Sequence, residues 1–207
     1  MPEKFGLLGA GAQADEIEEF AKPDIVAFRA VDASFVAMTA GAVDIGRTDA
    51  RLLDTPVVAA VGAPGLRRDL VSAWRGTCFR SVVAEQAWLA SGVRLGEGVM
   101  VAPHAAISIR ASIGDHTLIN LAATVSHDTV VGRYATVSPG VHIAGHCRIG
   151  DGVFLGIGAS VIHGVRIASG SVIGAGAAVV SDILEPGLYV GVPARRVRLL
   201  KEWLHAV

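Results

Sequence analysis

Residues 113–131 read Ile113-Gly114-Asp115-His116-Thr117-Leu118-Ile119-Asn120-Leu121-Ala122-Ala123-Thr124-Val125-Ser126-His127-Asp128-Thr129-Val130-Val131 and place an aliphatic residue at every sixth position: Ile113, Ile119, Val125, Val131. The same register runs upstream through Ile107 and Val101 to Leu95, and downstream from Val137 through Ile143, Ile149, Leu155, Val161, Ile167 and Ile173 to Val179. Four residues after each aliphatic position stands a residue that is nearly always small or β-branched, such as Ala111, Thr117, Ala123, Thr129, Ala135 or Cys147. Glycine often follows the aliphatic residue, as in Ile113-Gly114, Val131-Gly132 and Ile149-Gly150. An α-helix turns every 3.6 residues and would carry a six-residue repeat around its surface. Short strands joined by turns keep it on one side. The register therefore predicts a parallel β-helix in which the aliphatic position points to the axis and successive coils pair as strands.

The repeat also accounts for the composition. The chain has 207 residues, 52% hydrophobic and only 18% charged, with a formal net charge of −1. Such a chain is too apolar and too weakly charged to be disordered, and its near-neutral balance argues against a nucleic-acid partner. Low charge raises the question of a membrane protein. The longest run without Asp, Glu, Lys or Arg is residues 167–181, which three glycines interrupt; a spanning helix needs about 20 apolar residues. Only nine charged residues fall within 95–184, so the deficit belongs to the repeat. The opening Met1-Pro2-Glu3-Lys4 runs straight into a strand-like segment and carries no signal-peptide pattern. Two cysteines, Cys78 and Cys147, suit a reducing compartment, and together these features predict a cytoplasmic protein. Cys147 occupies an inward small position and reads as core.

Ahead of the repeat, the pattern is βαβ. An apolar strand over 4–9 leads through Gly9, Ala10 and Gly11 to a helical stretch over 15–21. A second strand over 25–28 leads to Asp32, and a third over 56–61 enters Gly62 and a helix over 66–74. Gly9-x-Gly11-x-x-Ala14 has the form of a dinucleotide fingerprint, and Asp32 stands about 20 residues on, where such folds hold a ribose. About eighty residues hold only half of a dinucleotide domain, enough for one nucleotide.

The unbroken six-residue register resembles that of the hexapeptide-repeat acyltransferases, and the segment Gly191-Val192-Pro193-Ala194-Arg195 resembles the tail of that family. The resemblance implies a left-handed parallel β-helix with three hexads, eighteen residues, per coil. The expected organisation is a Rossmann-like nucleotide-sugar or acceptor-binding half domain over 1–80, a linker and lead-in over 81–94, a β-helix of five coils over 95–184 that binds acyl-CoA and carries catalysis, and a C-terminal loop and short helix over 185–207.

Within the repeat, Asn120 followed by Ser126-His127-Asp128 resembles the catalytic coil of the bacterial PglD/NeuD-type sugar acetyltransferases. The resemblance implies that His127 is the general base, that Asp128 tunes it, and that Asn120 lies near the acceptor. Imidazole titrates near neutrality, as proton removal from an attacking amine or hydroxyl requires. Gly145, one coil beyond His127, matches a family glycine at the acyl thioester, and Ala144, Ile157, Gly158 and Ala175 match positions lining the coenzyme A groove. The family's acceptor-binding positions fall at Gly9, Gly11, Gln13, Asp32 and Gly62. Several of its polar residues are replaced here: Ala12-Gln13 stands for Gly-His, Gly62-Ala63 for Gly-Asn, and Ala84-Glu85 for His-Pro. These departures leave the acceptor open.

The resemblance thus predicts an acetyl-CoA-dependent N-acetyltransferase of a nucleotide-linked amino sugar in surface-glycan synthesis, assembled as a homotrimer with active sites between subunits. A sialic-acid-type O-acetyltransferase is the alternative, and a non-catalytic or zinc-binding trimer a further one. No metal is expected. Counting by eighteen places His127, His146 and His163 on one flank of successive coils. Coils about 4.8 Å apart would hold His127 and His163 about 10 Å from each other, too far to share a zinc ion within one chain.

Overall fold

A computed structural model describes residues 2–206. The N-terminal part is a four-stranded parallel sheet in the order β3-β2-β1-β4, with β1 at Lys4–Leu8, β2 at Ile25–Val31, β3 at Val43–Asp44 and β4 at Val57–Ala59. Helix α1, Ala12–Phe20, connects β1 to β2; a short helix α2, Ala33–Val36, follows β2; and α3, Pro64–Ala73, follows β4. The expected βαβ elements are present. The short elements α2 and β3 were hidden because residues 33–43 are mostly small and apolar with no clear period.

From Val82 to Val179 the chain forms two-residue strands every six residues, and each pairs in parallel with the strand eighteen residues away. Three flat faces result. The first carries Met100–Val101, Leu118–Ile119 and Thr136–Val137; the second Ala106–Ile107, Thr124–Val125 and His142–Ile143; the third Ser112–Ile113, Val130–Val131 and Arg148–Ile149. This is a left-handed parallel β-helix. The segment 81–94 leads into this stack: Val82–Val83 and Trp88–Leu89 are rungs already in register with Met100–Val101 and Ala106–Ile107.

The axis is filled by the aliphatic column, with Val101, Ile107, Ile119 and Leu155 at 0% exposure. Each such side chain contributes about 1.5–3 kcal/mol relative to exposure, so a slip by one residue would be costly throughout the stack. Every turn has one residue in the left-handed region. Gly92 and each sixth residue through Gly176 have positive φ, and seven of these are not glycine: His104, Arg110, His116, Ala122, Asp128, Tyr134 and His146.

The first face is covered by the N-terminal sheet. Phe5, Leu7 and Ile17 pack with Val82, Met100 and Leu118 in one cluster, which explains why both residues of these first-face strands are apolar. Arg67 of α3 crosses the seam. Fully buried, it donates to the carbonyls of His116, Val61, Gly62, Tyr134 and Ala135 and to Thr136 Oγ1.

Among the described residues, the expected C-terminal helix is absent. Gly187–Val190 continues the first face beside Val172–Ile173, and Arg195–Leu199 folds back on it as an antiparallel strand. An open sheet edge offers unpaired backbone groups, and Arg-Arg-Val-Arg-Leu satisfies them better as a strand than as an isolated short helix. Beyond it, Trp203 lies over Gly152 and Gly170, where any Cβ would collide with the indole. Leu204 accepts the N–H of Gly65, which ties the tail to the start of α3.

Candidate active site

The turn after Thr124–Val125 lies on the edge between the second and third faces and presents Ser126, His127 and Asp128. Stacked on it are the turns carrying Arg110 below and Gly145, His146 and then His163 above. Asp128 Oδ2 lies 2.8 Å from His127 Nδ1. Arg110 holds the same carboxylate in a two-point grip, Nε to Oδ1 at 2.7 Å and Nη2 to Oδ2 at 2.8 Å. The hydrogen bonds from Arg110, followed by that from His127, hold the Asp128 carboxyl well below the usual carboxylate range. An ionised carboxylate only accepts, so the proton of the neutral imidazole sits on Nδ1 and Nε2 keeps its lone pair.

Gly145 faces that lone pair. A Cβ there would stand 2.7 Å from His127 Cε1 and Nε2, so only glycine lets the ring lie against this turn. Among the described residues the Gly145 N–H has no hydrogen-bond partner, and it is a free donor next to the imidazole. Thr129, fully buried, braces the turn by donating to the Ala144 carbonyl at 2.9 Å.

The histidines come closer than their coil spacing implied. Ring centroids are 5.1 Å apart for His127–His146, 5.0 Å for His146–His163 and 6.4 Å for His127–His163. Side chains from non-adjacent coils lean toward each other across the intervening turn and bring the rings closer than their backbones. Ligand-capable atoms of His127, Asp128 and His146 all lie within 4.8 Å of one another, near enough within one chain to share a metal ion.

The remaining anticipated residues divide among separate places. Ala144 and Gly145 share the His127 edge, whereas Ile157, Gly158 and Ala175 lie on the edge between the first and second faces. There Ile157 is 59% exposed, and a Cβ on Gly158 would meet nothing. One chain therefore does not gather the five positions expected to hold acyl-CoA. Gly9, Gly11 and Asp32 do converge, lining an apolar cleft of about 340 Å³ with Val31, Phe35, Thr39, Leu66 and Leu70. The Asp32 carboxylate is turned to its own chain, accepting from the Ser34 N–H and hydroxyl, which lower its pKa. Gln13 lies at the seam, where its Oε1 accepts from Asn120 Nδ2 at 3.3 Å. Asn120 is 8% exposed and occupies a different edge from His127. The Gly62 carbonyl is engaged by Thr136 Oγ1 and Arg67. Other clefts, of about 290 and 370 Å³, lie against Arg148 and Arg166 and beside the C-terminal hairpin. Cys147 is buried with its thiol toward the Ile162 carbonyl, and burial pushes its pKa up, as suits a core residue.

Sequence reasoning passed over Arg110. Its position eighteen residues before Asp128 was the available signal, because that offset stacks two residues on one edge.

A stack of hexapeptide coils with a carboxylate-paired histidine over a glycine defines a class, the hexapeptide transferases. The family model described as bacterial transferase hexapeptide (six repeats) matches residues 146–180. PerB from Caulobacter crescentus, solved with CoA and GDP-perosamine, superposes with a TM-score of 0.81 at 31% identity, covering 95% of this chain and 97% of that one. The acetyltransferase domain of PglB from Neisseria gonorrhoeae gives 0.81 at 27% identity over 94% and 100% of the two chains. WeeI from Acinetobacter baumannii, 24% identical over 95% and 100%, shares the fold with a TM-score of 0.82. No curated protein matches the sequence. The chain belongs to the hexapeptide-repeat acyltransferases of the PglD/NeuD sugar acetyltransferase family and is an acetyl-CoA-dependent acyltransferase.

Proposed function

We propose that the protein transfers an acetyl group from acetyl-CoA to the amine of a nucleotide-linked amino sugar in surface-glycan synthesis, with His127 as general base. The observation that carries this reading is the His127 ring itself, held at Nδ1 by Asp128 and with Nε2 against Gly145. In the reaction an amide bond forms, the thioester carbon–sulfur bond breaks and the amine loses one proton. Nε2 is placed to take that proton and return it to the departing sulfur. The Gly145 N–H stabilises the negative charge that develops on the acyl oxygen, and Asp128 stabilises the transient imidazolium.

The apolar cleft at Gly9, Gly11 and Asp32 supports a nucleotide acceptor, since it lies beyond the C-terminal ends of β1 and β2, where open α/β sheets take ligands. PerB was solved with GDP-perosamine, and that likeness supports the same substrate class here. The cleft sits over the first face, and His127 lies on the edge opposite that face. A site that uses both draws them from two copies, which favours a homotrimer with active sites, including the split acyl-CoA positions, between subunits. Cytoplasmic residence fits these soluble substrates, and no helix among the described residues is long and apolar enough to cross a membrane.

Acetyl-CoA turnover should be screened against UDP-, dTDP- and GDP-linked amino sugars, then free sugars and sialic acid. Transfer only to hydroxyl acceptors would replace this reading with O-acetylation. The close approach of His127, Asp128 and His146 supports a second reading, a metal-binding trimer. Stoichiometric zinc in the purified protein together with absent turnover would establish it.

A further inference from the structure

Three arginine–aspartate pairs bridge successive coils: Arg110–Asp128, Arg133–Asp151 and Arg166–Asp182. In the latter two the aspartate also accepts the backbone N–H of its own arginine, from Arg133 at 2.8 Å and from Arg166 at 2.9 Å. Those carboxylates close turns. Asp128 makes no such bond among the described residues. Its remaining capacity goes to His127 Nδ1, with His146 Nε2 3.7 Å away. The backbone differs too. Arg110 and Asp128 both lie in the left-handed region, at φ 57° and 58°, whereas no residue of the other two pairs does. Arg110 and Asp128 occupy the left-handed position that each turn of the stack has, one coil apart, and this register sets the guanidinium fork against the carboxylate that holds the imidazole.

We propose that Arg110 is a positioning residue for His127: its two-point grip fixes the Asp128 carboxylate in the geometry that orients the imidazole and holds its proton on Nδ1. The inference rests on the reading of His127 as general base. Without Arg110, Asp128 would swing more freely and the imidazole would lose its fixed orientation against Gly145. The other titratable groups facing His127 are His146 and His163, from the next two turns of the same edge.

The test combines steady-state kinetics of the full chain, using the best acceptor from the screen, with nitrogen-15 NMR of the histidine side chains, the His127 signals being assigned by their loss in His127→Ala. Arg110→Met should lower kcat by about tenfold or more while KM for acetyl-CoA stays within twofold, and the His127 ring nitrogens should lose the pattern of a proton held on Nδ1 and shift toward a mixture of the two tautomers. Arg110→Lys restores charge but not the fork, so it should leave kcat low. Arg133→Met, which breaks an equivalent pair on another edge, should leave kcat and the His127 signals in place and controls for loss of structure. Unchanged His127 nitrogen signals or full kcat in Arg110→Met overturns the proposal. Persistence of transfer in His127→Ala would instead remove the base assignment, a result that the tautomer measurement does not depend on.

Discussion

The imidazole of His127 lies against the backbone of Gly145, so close that a Cβ at residue 145 would be 2.7 Å from both Cε1 and Nε2. Gly145 is not among the residues with positive φ, so its glycine serves space rather than conformation. Gly145→Ala should therefore fold normally but push the ring aside and break the 2.8 Å bond to Asp128. We expect kcat to fall about 100-fold, since a misplacement of about 1 Å has that effect, with Tm nearly unchanged. Steady-state kinetics and a thermal melt check both halves. Full activity in this variant would show that the ring position is irrelevant to transfer.

Removing the base is the more direct experiment. His127→Ala should lower kcat by about 10²–10⁴, the usual contribution of a general base, while calorimetry finds acetyl-CoA binding retained. Because the His127 edge carries no fold-determining contact to the N-terminal sheet, far-UV circular dichroism and oligomeric state should match wild type.

The β-helix was legible because burial along an axis imposes a strict period, and Leu95 through Val179 obey it without exception. His127 and Asp128 were legible for the same reason, since the register fixes which edge they occupy. Arg67 was not. On an amphipathic helix it looks like a surface residue, and only the docking of α3 onto the first face buries it at 0% exposure. The contact between the histidine rings escaped because coil spacing measures backbones, whereas imidazoles reach several ångströms beyond them. The C-terminal strand escaped because its partner, Gly187–Val190, becomes an available edge only after the stack has formed.

Arg67 provides a stability prediction. Its guanidinium satisfies carbonyls of α3's own approach loop and of two successive coils, His116 and Tyr134. Burial pushes its pKa down, but every acceptor around it favours the charged form. Arg67→Met keeps much of the volume and strands those buried carbonyls, each costing about 1–3 kcal/mol when left unsatisfied. A net loss of about 3 kcal/mol or more is expected, read as a lower urea midpoint. A variant within 0.5 kcal/mol of wild type would mean that the seam does not depend on this residue.

His116 gives the protein a pH-dependent stability separate from catalysis. His116 is 3% exposed, its ring packed between Phe79 at 4.7 Å and Tyr134 at 5.1 Å, and its buried Nδ1 has no partner among the described residues. Burial pushes its pKa down to about 4 from an ordinary 6.5, with Arg67 adding to the effect and Asp115 opposing it. The native state therefore refuses a proton that the unfolded chain accepts below pH 6.5. Stability is complete above that pH, declines as pH falls toward 4 and levels off below, a loss of up to about 3 kcal/mol. Urea unfolding at pH 7.5 and 4.5 should show this difference in wild type, and His116→Phe, which keeps the aromatic packing without a titrating group, should reduce it by that amount. An equal pH dependence in the two proteins would assign the effect to other groups.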